Sequence, residues 1–267
     1  YNSIAALPVV QAGSLFDDLC RRDFTPNTMA ICMVPPSFGS LLDPFGGEID
    51  LQAGVFRVLH GLSFFQDPTR IFRMARYCGR YHNQPDQHSR FLVESAVKFG
   101  VCSHLSTKRI GTEITKIFLE SAPSISFQYL SNWGLLSEVF PTLSDLFLEH
   151  LKHLEQDDEL RSLLHCWMLF SFHLSPTERK STIKLVSEHK GMSNLFSTIP
   201  SEMTNIQSKI HNLKTVIELG WLLIKKHPSS LKLLLLVDPS INNFELVQWW
   251  QERGKNISNP IQGKELI

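Results

Sequence analysis

Asp67 and Arg70 stand three residues apart in "QDPTRIFRMAR", and such a pair has a specific chemical use. An ionised aspartate only accepts hydrogen bonds and an arginine only donates them. Adenine and cytosine each present an amino donor beside a ring-nitrogen acceptor, whereas guanine and uracil present a carbonyl beside an N–H. An Asp/Arg pair therefore accepts A and C and rejects G and U, because the wrong base leaves buried polar groups unpaired. Arg73 and Arg76 lie further along the same stretch, and forked guanidinium hydrogen bonds suit a triphosphate. The competing use of Asp67 and Arg70 is a salt bridge within one helix, worth only a few tenths of a kcal/mol.

A second constellation, "RRDFTPN", sets Arg21, Arg22 and Asp23 just ahead of Thr25, Pro26 and Asn27. Thr25 is a good N-cap, and Pro26 suits the first helical position, where its missing N–H costs nothing. The pattern predicts a helix running through "NTMAICMV" to Pro35-Pro36, with Asn27 in the first turn near free backbone N–H groups. A second helix is predicted to begin near Asp67 with Pro68 at its first position. At about 100° per residue, Arg70, Arg73, Arg76 and Arg80 then fall within an arc of roughly 120°, headed by the Asp67 carboxylate. Phe72, Met74 and Tyr77 are left to pack elsewhere. From Arg57 to Arg109 nine basic residues face three acidic ones, an excess of six that suits a polyanion. A solvated helical face is the plainer use of the same charges.

The elements that must position these groups follow from the rest of the chain. Its 267 residues are 43% apolar and 19% charged, enough for a sizeable core, and the 26 basic and 26 acidic residues balance. Five cysteines without a C-x-x-C pair fit buried thiols in a reducing compartment. No apolar run reaches membrane-spanning length, "LKLLLLVD" being too short. No signal-peptide pattern begins at Tyr1, and a cytoplasmic location is expected. Residues up to about 60 read as mixed α/β, with strands expected in "ALPVVQAG" and in "GSLLDPFGG", which ends in a turn. From Asp67 onward the apolar spacing is helical almost throughout. Breaks are expected at Pro123, Pro141, Pro176, Pro200 and Pro228, a polar loop at "HNQPDQH", and no fixed repeat. His150, His153, His165 and Cys166 could be drawn as a zinc site, but their spacing favours solvated or core-edge histidines. Trp249-Trp250 reads as core packing ahead of RNA stacking.

Taken in order, "SLFDDLCRRDFTPNTMA", "LLDPFGGEIDLQAGVFRVLHGLSFFQDPTRIFRMARYCGR", "RIGTEITKIF" and "LSNWGLLSEVFP" resemble the superfamily of class II tRNA nucleotidyltransferases (CCA-adding enzymes) and bacterial poly(A) polymerases. The resemblance covers residues 1 to about 141 and resumes at "NPIQGKELI". It implies a mainly α protein in which residues 1–62 are the C-terminal part of an α/β nucleotidyltransferase head. Residues 63–141 would be a helical neck that selects nucleotides and binds RNA, and residues 142–267 a helical body and the start of a tail. By the same resemblance, Arg21, Arg22, Asp23 and Asn27 contact the nucleotide and its ribose. Asp50, Gly54 and Arg57 form a hinge between head and neck. Gln66, Asp67 and Arg70 form the motif that reads the base, followed by the phosphate-contacting Arg73 and Arg76. Gln66 departs from the family's usual Glu.

The resemblance further implies ATP and CTP as substrates and tRNA or another RNA 3′ end as partner, with neither DNA nor a membrane involved. Nucleotides would be added by in-line attack of the 3′-OH on the α-phosphate. The Mg²⁺ for that step would be held by a D-x-D pair expected upstream of Tyr1, because Asp17, Asp18 and Asp23 form no such pair. On that reading the chain is a fragment that binds RNA and cannot extend it. CC-only, A-only or poly(A) addition remain alternatives within the superfamily, and a catalytically dead RNA-binding module is the alternative outside it.

Overall fold

In a computed structural model the described residues are 12–186, 191–223, 226–243, 247, 248 and 251. Helix α1 (Leu15–Cys20) starts from a reciprocal cap. The Ser14 hydroxyl accepts from the Asp17 N–H at 3.2 Å, and the Asp17 carboxylate accepts from the Ser14 N–H at 2.8 Å. The helix expected from Thr25 to Val34 does not form. Thr25–Thr28 makes one 3₁₀ turn, after which Ala30–Ile31 (β1) pairs antiparallel with Leu41–Leu42 (β2). The cause is tertiary. The Thr25 hydroxyl, instead of capping, donates to Asp50 Oδ2 at 2.6 Å, and the Thr25 N–H donates to the Arg57 carbonyl at 2.9 Å.

Helix α2 (Gly47–Gln52) is capped by Asp43, whose two oxygens accept the N–H groups of Gly47 and Glu48. Gly47 has to be glycine, since a Cβ there would lie 2.4 Å from the Thr25 carbonyl oxygen. Val55–Phe56 (β3) then pairs in parallel with Gln84–Pro85 (β4). A strand segment thus sits inside the predicted polar loop, beyond the point where strand signals in the sequence stop. Between those strands run α3 (Ser63–Gln66) and α4 (Thr69–Tyr81), the second beginning within two residues of expectation. The strand expected at "ALPVVQAG" falls largely on residues outside those described.

The remainder is helical: α5 (Gln87–Lys98), α6 (Thr107–Phe118), α7 (Pro123–Asn132), α8 (Leu135–Val139), α9 (Leu146–Glu155), α10 (Leu163–Phe172), α11 (Pro176–Thr182), α12 (Met192–Ile210), α13 (Val216–Leu223) and α14 (Pro228–Val237). Pro123, Pro176 and Pro228 each open a helix, where proline is harmless. Pro200 breaks nothing and lies inside α12. A proline there leaves the carbonyl four residues earlier, that of Phe196, without its helical donor. The buried Ser171 hydroxyl of α10 donates to that carbonyl, so the neighbouring helix supplies the lost bond.

The core of this part is aromatic. Phe118 meets Trp167 edge-on at 5.1 Å between ring centroids, Phe127 meets Phe147 at 5.1 Å, and Phe170 meets Phe140 at 5.0 Å and Phe147 at 5.4 Å. The apolar core runs unbroken from Phe24 and Phe56 to these rings. The five cysteines are free, and Cys78, Cys102 and Cys166 are buried, which pushes the Cys78 and Cys166 thiols up to about 12. No described helix is long and apolar enough to cross a membrane.

Candidate nucleotide-binding site

Helix α4 brings the two motifs together. Arg70, only 5% exposed, donates from Nη2 to the Arg21 carbonyl at 2.7 Å and from Nη1 to Ser63 Oγ at 2.7 Å. One turn on, Arg73 Nε donates to Asp23 Oδ2 at 2.6 Å, and its Nη2 donates to the Tyr77 hydroxyl at 3.1 Å. Asp23 is buried, and its other oxygen accepts from Asn27 Nδ2 at 2.7 Å and from the Phe24 N–H at 3.1 Å. Asn27 therefore serves the Asp23 carboxylate, where the sequence pattern had placed it in the first turn of a helix. Burial alone would lower the Arg73 guanidinium, but Asp23 outweighs it and holds Arg73 firmly charged. Arg22 stays at the surface, bound through Nε and Nη2 to Asp18 Oδ2 at 3.0 and 2.5 Å.

Asp67 does not pair with Arg70. Its Oδ1 accepts from the Thr69 N–H at 3.1 Å, the Thr69 hydroxyl at 2.7 Å and Arg109 Nη2 at 2.7 Å. Among the described residues no donor reaches Oδ2. The carboxylate is thus pinned through one oxygen, three residues from the buried Arg70.

The arginine column divides along its length. Arg76, 6% exposed, stacks over the Tyr77 ring at 4.5 Å and points Nη1 at Glu120 Oε1, 3.3 Å away. Arg80 grips the same carboxylate with Nε at 2.8 Å and Nη2 at 2.5 Å. Burial would raise the Glu120 carboxyl, but the hydrogen bonds from Arg80 and Arg76 prevail and hold it below the ordinary range. Arg70 and Arg73 thus face residues 21–27, while Arg76 and Arg80 face the turn after α6. Arg73, Arg57 and the Arg76–Arg80 pair are met by Asp23, Asp50 and Glu120, three acids from outside the basic stretch. That stretch is accordingly less basic in space than in sequence.

The expected hinge residues also meet. Arg57 holds Asp50 through Nε to Oδ2 at 3.0 Å and Nη2 to Oδ1 at 3.1 Å, and reaches Asp86 Oδ2 with Nη1 at 2.9 Å. Burial pushes the Asp50 carboxyl up, but bonds from Arg57 and Thr25 bring it below its usual value. Gly54 turns the chain with φ +69°, a conformation that favours glycine, and its carbonyl accepts the Gln84 N–H at 3.0 Å.

Sequence reasoning missed Arg109, Glu120, Ser63 and Tyr77. Arg109 carried one signal, being a cation in the first turn of a helix, where the dipole disfavours it. Glu120 carried none.

The nearby acids do not fit a metal. Asp17 caps Ser14, Asp18 is taken by Arg21 and Arg22, and Asp23 is taken by Asn27 and Arg73. Among the described residues no group of three or more His, Cys, Asp or Glu side chains could hold one. His150 and His165 are separately engaged. His150 Nδ1 lies 3.0 Å from His173 Nε2, while His165 binds the Leu160 carbonyl and Ser229 Oγ, each at 2.8 Å. Trp249-Trp250 and "NPIQGKELI" lie outside the described residues.

Residues 2–57 match the family described as "Poly A polymerase head domain", and residues 101–147 match "Probable RNA and SrmB- binding site of polymerase A". The A-adding tRNA nucleotidyltransferase of Geobacter sulfurreducens is 41% identical over 143 residues, which are 54% of this chain and 16% of that protein. A solved CCA-adding enzyme in apo form II superposes with a TM-score of 0.81 at 27% identity, covering 100% of this chain and 65% of that one. The Thermotoga maritima CCA-adding enzyme complexed with tRNA-CCA superposes with a TM-score of 0.76 at 25% identity, covering 94% and 64%. The chain thus spans less than two thirds of the length of each of these relatives. Both family matches fall in the expected order and the fold is shared along the whole length of this chain, so the chain is similar in sequence and fold to the class II tRNA nucleotidyltransferases and poly(A) polymerases.

Proposed function

We propose that this chain selects the incoming nucleotide and holds RNA in a protein that adds A, or A and C, to tRNA 3′ ends. The carrying observation is the start of α4, where Asp67 is pinned through Oδ1 with no described donor on Oδ2, close to a fixed Arg70. In the proposed role, Asp67 Oδ2 accepts the amino N–H of adenine or cytosine and Arg70 donates to the adjacent ring nitrogen. Arg73, fixed by Asp23, lies one turn further for the phosphates, with Asn27 and the exposed Arg22 on the facing turn. Arg76, buried against Glu120, supports the helix from behind. The hinge role of Asp50, Gly54 and Arg57 is supported by the ties from Arg57 to Asp86 and from Gly54 to Gln84. We assign residues 1–62 to the head, 63–141 to the neck and 142–267 to the body and start of the tail. The Mg²⁺ expected from the resemblance finds no fitting carboxylate set among the described residues, and no step assigned to these side chains runs through it.

The A-adding name of the Geobacter relative favours A-only addition as a second reading, since the Asp/Arg pair accepts either base. The test uses the full-length protein and a tRNA lacking its terminal CCA, or ending in CC, with each of the four nucleoside triphosphates. ATP with or without CTP should be incorporated, and GTP and UTP should not. Use of ATP alone, on the CC-ended tRNA alone, selects the second reading. Equal use of all four, or no extension of either tRNA, overturns the proposal.

A further inference from the structure

We infer that Tyr77 is a positioning residue that aims Arg73 at the nucleotide's phosphates, an inference that rests on the phosphate role proposed above for Arg73. The two side chains stand one turn apart on α4, and the Tyr77 hydroxyl accepts from Arg73 Nη2 at 3.1 Å. The Nε–H of the same guanidinium goes to Asp23 Oδ2 at 2.6 Å. Nε and Nη2 donate along one edge of the guanidinium plane, so the carboxylate and the phenol hold that edge together. One bond at Nε would let the group swing about it, and a second bond on a different partner stops the swing. Nη1 makes no bond among the described residues. The end of Arg73 that carries Nη1 is therefore left for an anion, and forked donation suits phosphate oxygens.

The Tyr77 ring is held by the same turn of chain that supplies the carboxylate. Phe24, next to Asp23, meets it edge-on at 5.9 Å between centroids, and Phe56 stacks on it at 5.7 Å. Arg76 lies over the ring at 4.5 Å, itself tied to Glu120. Residues 23 and 24 thus grip positions 73 and 77 of α4 at once, one by charge and the other by ring packing. Phenylalanine would serve those ring contacts equally well. The hydroxyl adds nothing to them, and its partner among the described residues is Arg73. Side-chain pairs four apart contribute little to a helix, so the consequence of this bond lies in where it sets the guanidinium.

The experiment compares Tyr77→Phe, Arg73→Ala and the double variant in the full-length protein. It measures the KM for ATP on a tRNA ending in CC and the Ki of adenosine, which has the base and ribose without phosphates. Thermal unfolding serves as the folding control. Tyr77→Phe should raise the KM for ATP about five-fold, as loss of one modest hydrogen bond does, and leave the Ki of adenosine unchanged. Arg73→Ala should raise the KM for ATP about ten-fold or more. The double variant should match Arg73→Ala, because Tyr77 acts through that arginine. If Arg73→Ala raises the KM and Tyr77→Phe does not, the inference falls and the phosphate role of Arg73 stands. Equal weakening of ATP and adenosine by Tyr77→Phe makes its role structural and overturns the inference. So does a full Tyr77→Phe effect added on top of Arg73→Ala. If Arg73→Ala leaves the KM unchanged, the phosphate role itself falls.

Discussion

The face where α4 meets residues 21–27 and the packed centre of α6, α7, α9, α10 and α12 are held by different physics. The first is a chain of charge-assisted hydrogen bonds: Arg57 to Asp50 and Asp86, Arg73 to Asp23, Arg109 to Asp67, and Arg76 and Arg80 to Glu120. The second is a stack of aromatic rings around Phe170, with a partly buried histidine pair at its edge. Directional bonds hold a few atoms where a ligand needs them, whereas ring packing tolerates small shifts and supplies stability. Charge on the α4 face is therefore about position, and bulk in the helical centre is about energy.

The largest expected effect separates the two regions. Phe170→Ala removes the ring that meets Phe140, Phe147 and Trp167, and should cost about 3–5 kcal/mol in urea unfolding. Nucleotide preference of the folded fraction should not change. A next step breaks the other side. Glu120→Ala leaves Arg76 buried without its carboxylate, and loss of one partner of such a pair costs roughly 3 kcal/mol. Because α4 also carries Arg70 and Arg73, this variant should raise KM for nucleotide before it unfolds. Unchanged KM at matched folding would mean that Glu120 serves stability alone.

Acid should divide the regions as well. His173 is 8% exposed and packs against His150, Phe147 and Phe172, with Glu149 and His153 beyond His150. Burial, with His150 beside it, lowers its pKa from 6.5 to about 4. Between those values the unfolded chain binds a proton that the folded one refuses. Stability should therefore fall as pH drops from 6.5 to 4, by about 2 kcal/mol. The Asp50 and Glu120 carboxyls, held below their usual values, keep their contribution through that range and lose it only as pH falls through their depressed pKa values. Urea unfolding between pH 7 and 4.5 should show a slope that His173→Asn reduces, the partly buried and likewise lowered His60, His150 and His165 contributing the rest. A slope equal in both proteins would assign the acid sensitivity elsewhere.

What the sequence revealed follows the same division. The breaks at Pro123, Pro176 and Pro228 could be read because proline suits the first helical position and the apolar spacing on either side is periodic. Pro200 could not be placed, since the donor that rescues Phe196 comes from Ser171 on another helix. The helix expected at Thr25 failed for a similar reason, its hydroxyl being engaged by Asp50. In the site, residue type suggested the chemistry proposed for Asp67 and Arg70, whereas their partners in the fold were not legible. Arg109 lies 42 residues from Asp67 and Asp23 lies 50 from Arg73, separations over which no periodicity carries information. Asp67 and Arg70 even invited a pairing with each other that the fold prevents.

The central claim is that Asp67 selects bases because it can only accept hydrogen bonds. Asp67→Asn tests this most directly, since it keeps the shape of the side chain and adds a donor able to face the carbonyl of guanine or uracil. In the full-length protein the ratio of kcat/KM for ATP and CTP to that for GTP and UTP should fall about ten-fold or more, through gain of the wrong nucleotides as well as loss of the right ones. A folded Asp67→Asn protein with an unchanged ratio would contradict the claim.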